Sequence, residues 1–203
     1  VVHILDTQTG DLLPERLHHA QGSVVWAPDE QRFVYLTIDE NHRPSRVWQH
    51  TLGDDIADDR LLYEESDPAF FVSLEGSEDG RFAIVATHGH GMTADARLLS
   101  LHNRAADLQL VEPRVEGVDY SVTVSGGTLY VRTNVDEAID YKVMAAPIGQ
   151  PERAHWIDVT PHQAGCVIRY LVAFRDYLVR LERRDGLPTI VVRRLADGTE
   201  HTV

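Results

Sequence analysis

Phe33-Val34-Tyr35-Leu36 has three counterparts farther along the chain: Phe82-Ala83-Ile84-Val85, Leu129-Tyr130-Val131 and Tyr177-Leu178-Val179. Each run is apolar at consecutive positions, rich in β-branched and aromatic residues, and too short for a helix. A strand that is apolar on both faces has to be buried on both sides. Each of these runs is also the second in a group of four. The first runs open near Ser23, Phe70, Val118 and Val167, spaced by 47, 48 and 49 residues. Third runs are Arg46-Val47-Trp48, Arg97-Leu98-Leu99, Lys142-Val143-Met144 and Ile190-Val191-Val192. Fourth runs are Leu61-Leu62-Tyr63, Leu108-Gln109-Leu110, Trp156-Ile157-Asp158 and His201-Thr202-Val203. A four-strand unit repeated at this period is the signature of propeller blades.

Turn chemistry recurs at one equivalent place. Ala27-Pro28-Asp29-Glu30, Ser77-Glu78-Asp79-Gly80, Ser125-Gly126-Gly127 and Arg175-Asp176 separate first from second runs. Pro44, Pro68, Pro113, Pro147, Pro151, Pro161 and Pro188 are read as lying between runs, where a missing N–H harms no ladder. No segment carries a convincing helical period. The stretch from His3 to Asp11 reads much like the one from Val192 to Glu200, which joins the third and fourth runs of the last unit. The chain therefore begins inside a blade, and Val1 stands in place of a starting Met. The expectation is an all-β, open propeller cut from a longer polypeptide. Residues 1–22 form a partial blade, and four complete blades cover 23–69, 70–117, 118–166 and 167–203.

Composition excludes several functions. With 203 residues, 43% hydrophobic and 25% charged, the chain is that of a globular protein. A formal net charge of −13, with no basic stripe, removes the electrostatic contribution that supplies most nucleic-acid affinity, so no nucleic-acid partner is expected. No apolar run is long enough to span a bilayer and no signal peptide opens the chain, so no membrane partner is expected. The single cysteine, Cys166, forms no internal disulfide, and a cytoplasmic location follows as the expectation.

Asp39-Glu40-Asn41-His42-Arg43-Pro44, followed by Arg46-Val47-Trp48 and Leu52-Gly53, resembles a segment of the propeller of oligopeptidase B (protease II), in the prolyl oligopeptidase family of serine peptidases. Phe70-Phe71-Val72, the turn ending in Gly80-Arg81-Phe82, and Tyr130-Val131-Arg132-Thr133-Asn134 resemble neighbouring segments in the same order. The likeness extends over essentially the whole chain. The His88-Gly89-His90-Gly91-Met92 loop departs from it, because the family usually carries a polar loop without this pattern. The resemblance implies a cytosolic serine endopeptidase that cleaves short peptides after Arg or Lys. It also implies a C-terminal α/β-hydrolase domain, absent from this chain, that carries the triad. Short basic peptides are then the substrates, and the propeller is a lid and size filter.

No residue of this chain is assigned a catalytic, cofactor-binding or metal-binding role, and no cofactor is expected. No serine has the Gly residues two before and two after that a nucleophile elbow needs; Ser23 and Ser77 are flanked there by Gln21 and Val25, and by Glu75 and Asp79. His88 and His90, with His18, His19 and His42 elsewhere, lack a third ligand and a supporting shell for zinc. Asp54, Asp55, Asp58 and Asp59 lack the ligand spacing of a calcium loop and read as a solvated connection. Cys166 reads as a buried, inert thiol, and Trp26, Trp48 and Trp156 as packing between blades. The alternative function is a stand-alone propeller scaffold that binds a protein or peptide without catalysis. In either case an open arc leaves apolar flanks, and the isolated chain is expected to self-associate.

Overall fold

The computed structural model describes residues 1–89 and 92–203. Every regular element among them is a strand, apart from two single turns of 3₁₀ helix at Ile56–Asp58 and Arg153–His155. A hairpin of β1 (Val2–Leu5) and β2 (Leu12–Leu17) comes first. Four antiparallel sheets follow, each with its strands in chain order. They contain β3 (Ala20–Trp26), β4 (Arg32–Ile38), β5 (Pro44–Thr51) and β6 (Arg60–Glu64); then β7 (Phe70–Gly76), β8 (Phe82–Gly89), β9 (Ala94–Ser100) and β10 (Gln109–Glu112). The next is β11 (Tyr120–Ser125), β12 (Thr128–Thr133), β13 (Lys142–Pro147) and β14 (Ile157–Thr160), and the last is β15 (Cys166–Ala173), β16 (Tyr177–Arg184), β17 (Leu187–Arg194) and β18 (Glu200–Thr202). The arrangement is an open β-propeller.

Each sheet is one layer thick, so apolar side chains can be buried only between sheets. Alternation along the second strands divides them accordingly. Phe33 and Tyr35 of β4 pack with Ile4 and Leu17 of the hairpin, whereas Val34 and Leu36 meet Val72, Leu74, Ala83 and Val85 of the next sheet. Ile84 points the other way, into a core with Tyr120, Leu129, Val131 and Met144. Tyr130 faces onward again, toward Ile168, Ala173 and Leu178. The consecutive apolar positions of the sequence are thus two half-cores back to back. On the last sheet the pattern stops: Leu178 is buried, but Val179 and Leu181 are only half-buried and Ile190 is exposed.

Polar groups join neighbouring sheets where packing alone would let them slide. The Tyr120 hydroxyl on β11 donates to the Glu112 carbonyl at 2.6 Å and accepts from the Ala96 amide at 2.9 Å, fastening one sheet to the two outer strands of the one before. The Arg32 guanidinium reaches the Leu101 carbonyl at 2.9 Å, Arg132 reaches the Ile168 carbonyl at 2.7 Å, and Thr123 Oγ1 accepts from the Ala173 amide at 3.1 Å.

Some details differ from the sequence reading. β3 starts at Ala20, three residues ahead of Ser23, and β11 starts at Tyr120, because Val118 and Asp119 belong to the crossover. Pro44 opens β5, Pro147 closes β13, and Pro188 lies inside β17 opposite Arg183. Pro188 is tolerated because Arg184 and Leu187 flank a two-residue turn, Asp185-Gly186, with both φ angles positive. The next pair, Arg183 with Pro188, is then of the type that exchanges no hydrogen bonds, so the proline nitrogen faces away from β16. On that other side β18 pairs only from Val191 onward.

Leu129 is fully buried in the core between the third and fourth sheets counted with the hairpin as first. Leu129→Ala is expected to lower the unfolding free energy by about 2–5 kcal/mol. Ile157→Ala, on the exposed face of β14, is expected to stay within about 0.5 kcal/mol of the parent. Denaturant unfolding of the two variants side by side measures both.

Candidate functional site

The first strands β3, β7, β11 and β15 each form one edge of a sheet, and β3 packs on β7 as β11 does on β15. In a propeller this edge lines the axis. Gln21, Phe71, Glu75, Arg169 and Tyr170 are exposed along it. They give this edge a polar and aromatic character, with no serine, threonine or cysteine among the five.

The nearest approach to catalytic geometry is a buried His–Asp pair that the sequence reading missed. His50 Nδ1 lies 2.6 Å from Asp59 Oδ1, and the Tyr35 hydroxyl donates to Asp59 Oδ2 at 2.7 Å. His50 is fully buried, its Nε2 has no hydrogen-bond partner, and no hydroxyl nucleophile faces it. The pair orders the interior instead, with the His50 ring 5.0 Å from that of Phe33. Burial, and then the hydrogen bond to Asp59, push the Tyr35 hydroxyl well above the usual phenol range. Asp59 is therefore not part of a solvated loop. Asp54, Asp55 and Asp58 are exposed, and the Asp55 carboxylate caps the 3₁₀ turn by accepting from the Ala57 amide at 2.9 Å.

Asp39-Glu40-Asn41-His42-Arg43-Pro44 has a structural role. Asp39 accepts from the backbone of Asn41 and Arg43 and from Arg43 Nε, at 2.9–3.0 Å. So oriented, the Arg43 guanidinium donates to the carbonyls of Glu65, Asp67 and Phe70. One hairpin tip thereby fixes the crossover into the next sheet. Beside it, Arg114 is paired with Glu65 and Asp95 and lies over the Phe70 ring, 3.9 Å from its centroid.

A second charge cluster lines a cavity of about 460 Å³ between the last two sheets. Arg180 is buried and donates to both oxygens of Glu200, at 2.8 and 2.7 Å, and to Glu182, which also accepts from Arg184. His162, Gln163 and Thr160 complete the wall. Burial raises the Glu182 pKa, but hydrogen bonds from Arg180, Cys166 and Arg184 outweigh it and the carboxyl is held below its usual range. Cys166 opens β15 at this wall. Burial, followed by the bond to Glu182, pushes its thiol up to about 11, which leaves it protonated and unreactive at neutral pH.

Ser77 Oγ donates to Asp79 at 2.6 Å and accepts from the Phe82 amide at 3.0 Å, so it holds a turn. Ser23 is half-buried on β3. His88 is exposed at the end of β8, while His90 and Gly91 lie outside the described residues. His18, His19 and His42 are exposed, and among the described residues no three His, Cys, Asp or Glu side chains form a metal-binding group. Trp156 packs between sheets edge-on to Tyr120, and Trp48 donates to Thr37 Oγ1 at 2.9 Å. Trp26 departs from the expectation, since it is exposed at the end of β3, with its ring 4.9 Å from that of Phe33 in a tilted arrangement.

Hydrogen bonds from Arg180, then from Arg193, hold the Glu200 carboxyl down to about 2, against an ordinary value of 4.5. A carboxylate with a depressed folded-state pKa stabilises the protein fully above its unfolded value and loses that contribution as the pH falls through the folded one. Stability supplied by Glu200 is expected to disappear between about pH 4.5 and pH 2, and Glu200→Gln to flatten that part of the profile, as read from unfolding midpoints across the range.

Comparison with known proteins agrees with this architecture. The family model for the prolyl oligopeptidase N-terminal β-propeller domain matches residues 1–203. Protease 2 of Moraxella lacunata is 28% identical over 94% of the chain, and dipeptidyl aminopeptidase BI of Pseudoxanthomonas mexicana 27% over all of it. The chain spans 27% and 28%, respectively, of these relatives' lengths. Among solved structures, oligopeptidase B from Leishmania major superposes with a TM-score of 0.82 at 32% identity, over 89% of this chain and 26% of that one. Oligopeptidase B from Trypanosoma brucei, in a closed form with covalently bound antipain, gives a TM-score of 0.84 at 32% identity over 93% and 27%. A pure-β arc, inter-sheet cores and a family match over its full length lead to one conclusion: the chain belongs to the N-terminal β-propeller domain family of the prolyl oligopeptidases.

Proposed function

We propose that this chain is the lid and substrate-size filter of a serine endopeptidase that cleaves oligopeptides after Arg or Lys, and that it is non-catalytic by itself. The observation that carries this is the likeness to two oligopeptidase B structures at 32% identity. The triad sits in an α/β-hydrolase domain of the same polypeptide. The propeller closes over that domain, admits extended peptides and turns away folded proteins. Closure of this kind sequesters the reaction from water and completes the site without contributing a reacting group. The closed form described for the Trypanosoma brucei enzyme supports such a movement. A single, buried, protonated cysteine supports a reducing cytoplasm as its location.

A net charge of −13 draws cationic peptides over long range, and salt screens the attraction. The full-length protein is expected to cleave Arg-Arg peptides, to leave folded proteins intact, and to lose kcat/KM toward dibasic substrates as ionic strength rises. A flat salt profile removes steering from this account. Cleavage after Pro, or release of dipeptides from the N-terminus as the name of the Pseudoxanthomonas relative describes, overturns the Arg/Lys assignment. A native polypeptide of this chain's own size that binds peptides without cleaving them leads instead to the scaffold function.

The partly bare outer face of the last sheet, with Val179, Leu181 and Ile190, predicts that residues 1–203 alone pair or aggregate. Sedimentation velocity tests this, and a protease-resistant monomer contradicts it.

A further inference from the structure

A carboxylate taken out of water is costly unless a partner compensates its charge. Three buried carboxylates of this chain have such partners. Glu65 pairs with Arg114, Asp95 with Arg97 and Arg114, and Glu182 with Arg180 and Arg184. Glu15 on β2, 7% exposed, has none. Its Oε1 accepts from the Gly53 amide at 2.9 Å, whereas its Oε2 is, among the described residues, the one buried carboxylate oxygen without a hydrogen-bond partner.

Glu15 lines a cavity of about 500 Å³ between β2 and the turn that leads from β5 into the first 3₁₀ helix. That volume lies within the range of small-ligand sites. Asp54 and Asp55 stand in the same wall, so three carboxylates face one guanidinium, that of Arg16. Arg16 is engaged elsewhere, donating to the Leu13 and Glu15 carbonyls at 2.6 and 2.8 Å. Arg104 approaches Asp54 only to 3.8 Å, at the surface, where such pairs are weak. Exposed acids are scattered over this chain and are solvated. A carboxylate shut away from water beside room for a ligand is particular to this place.

The wall also bears on the class of cation. A calcium ion needs many oxygens converging on one point, and among the described residues no three His, Cys, Asp or Glu side chains converge in that way. A guanidinium or ammonium group directs several N–H donors outward and is able to take carboxylates on separate walls. Its alkyl stem finds Pro14 and Ile56 beside the acids.

We propose that this cavity binds an alkylguanidinium or alkylammonium group, the chemistry of an arginine or lysine side chain. Glu15 is its buried counter-ion, and Asp54 and Asp55 supply attraction from the rim. Such binding requires no peptidase activity.

A diazirine-bearing alkylguanidine, photolysed with the full-length protein, tests the site when labelled peptides are located by mass spectrometry. Labels within residues 12–18 and 53–58 are expected. N-acetylargininamide is expected to displace them, and its uncharged citrulline counterpart is not. Glu15→Gln keeps an acceptor for the Gly53 amide but removes the charge, and is expected to weaken labelling at least about tenfold without lowering the unfolding midpoint. Should that variant unfold, Asp55→Asn at the exposed rim is expected to weaken labelling about two- to fivefold. Absent labelling of the wild type, as when a side chain of the same polypeptide fills the cavity, overturns the site. So does labelling of the folded variant equal to the wild type, or equal displacement by the citrulline compound. Displacement by an Arg-containing peptide as well upholds the site with a peptide side chain as ligand, and displacement by the free compound alone upholds it with a small amine or guanidine. A protein that cleaves no peptide refutes the peptidase function separately, because labelling needs no turnover.

Discussion

No sheet in this protein has a core of its own. Each is a single layer whose second strand is apolar on both faces, and those faces meet water unless a neighbouring sheet covers them. Every other feature follows from that constraint. Val34 and Leu36 depend on Val72 and Val85; Ile84 depends on Leu129 and Val131; Tyr130 depends on Leu178. Stability is therefore passed from neighbour to neighbour along the arc, as in other repeat architectures, and a terminal sheet has only half of its contacts.

Apolar faces of this kind are poor at fixing register, because Val, Leu and Ala present similar surfaces at every step. Directional groups supply what packing lacks. Tyr120 ties β11 to the outer strands of the sheet before it, Arg43 binds three carbonyls of a crossover, and Arg114 gathers carboxylates from two neighbouring sheets, while Arg180 ties strands within the last one. Buried ion pairs contribute less to net stability than their number suggests, since desolvation offsets much of the attraction, but losing one partner of such a pair is severe. Their service here is alignment. The hexapeptide from Asp39 to Pro44 is of this kind, since its carboxylate and guanidinium join one sheet to the crossover into the next.

The two ends of the arc also differ in their turns. At one end the left-handed turn positions fall mostly on glycines; at the other most fall on residues with side chains. Rigidity at the loop between β12 and β13 comes from buried Val135 and Ala138 beneath it and from ion pairs around it, not from the loop's own sequence.

The amino-acid sequence by itself determined the architecture. Short runs apolar at consecutive positions, turn residues at a repeated offset and a unit length near 48 are local properties, and local rules translate them into four-stranded sheets in chain order. It also held the family likeness in Asp39 to Pro44, and the buried state of Cys166. Tertiary structure decided which side of each strand meets which neighbour, and with it the pairing of His50 with Asp59, nine residues apart in sequence, and of Arg114 with Glu65, 49 apart. Asp59 illustrates the limit. Within an Asp-rich stretch it reads as solvated, yet the fold brings Tyr35 and His50 against it and makes it an interior group. Charge runs report composition, whereas burial depends on partners that the chain brings from a distance, and no local pattern encodes them.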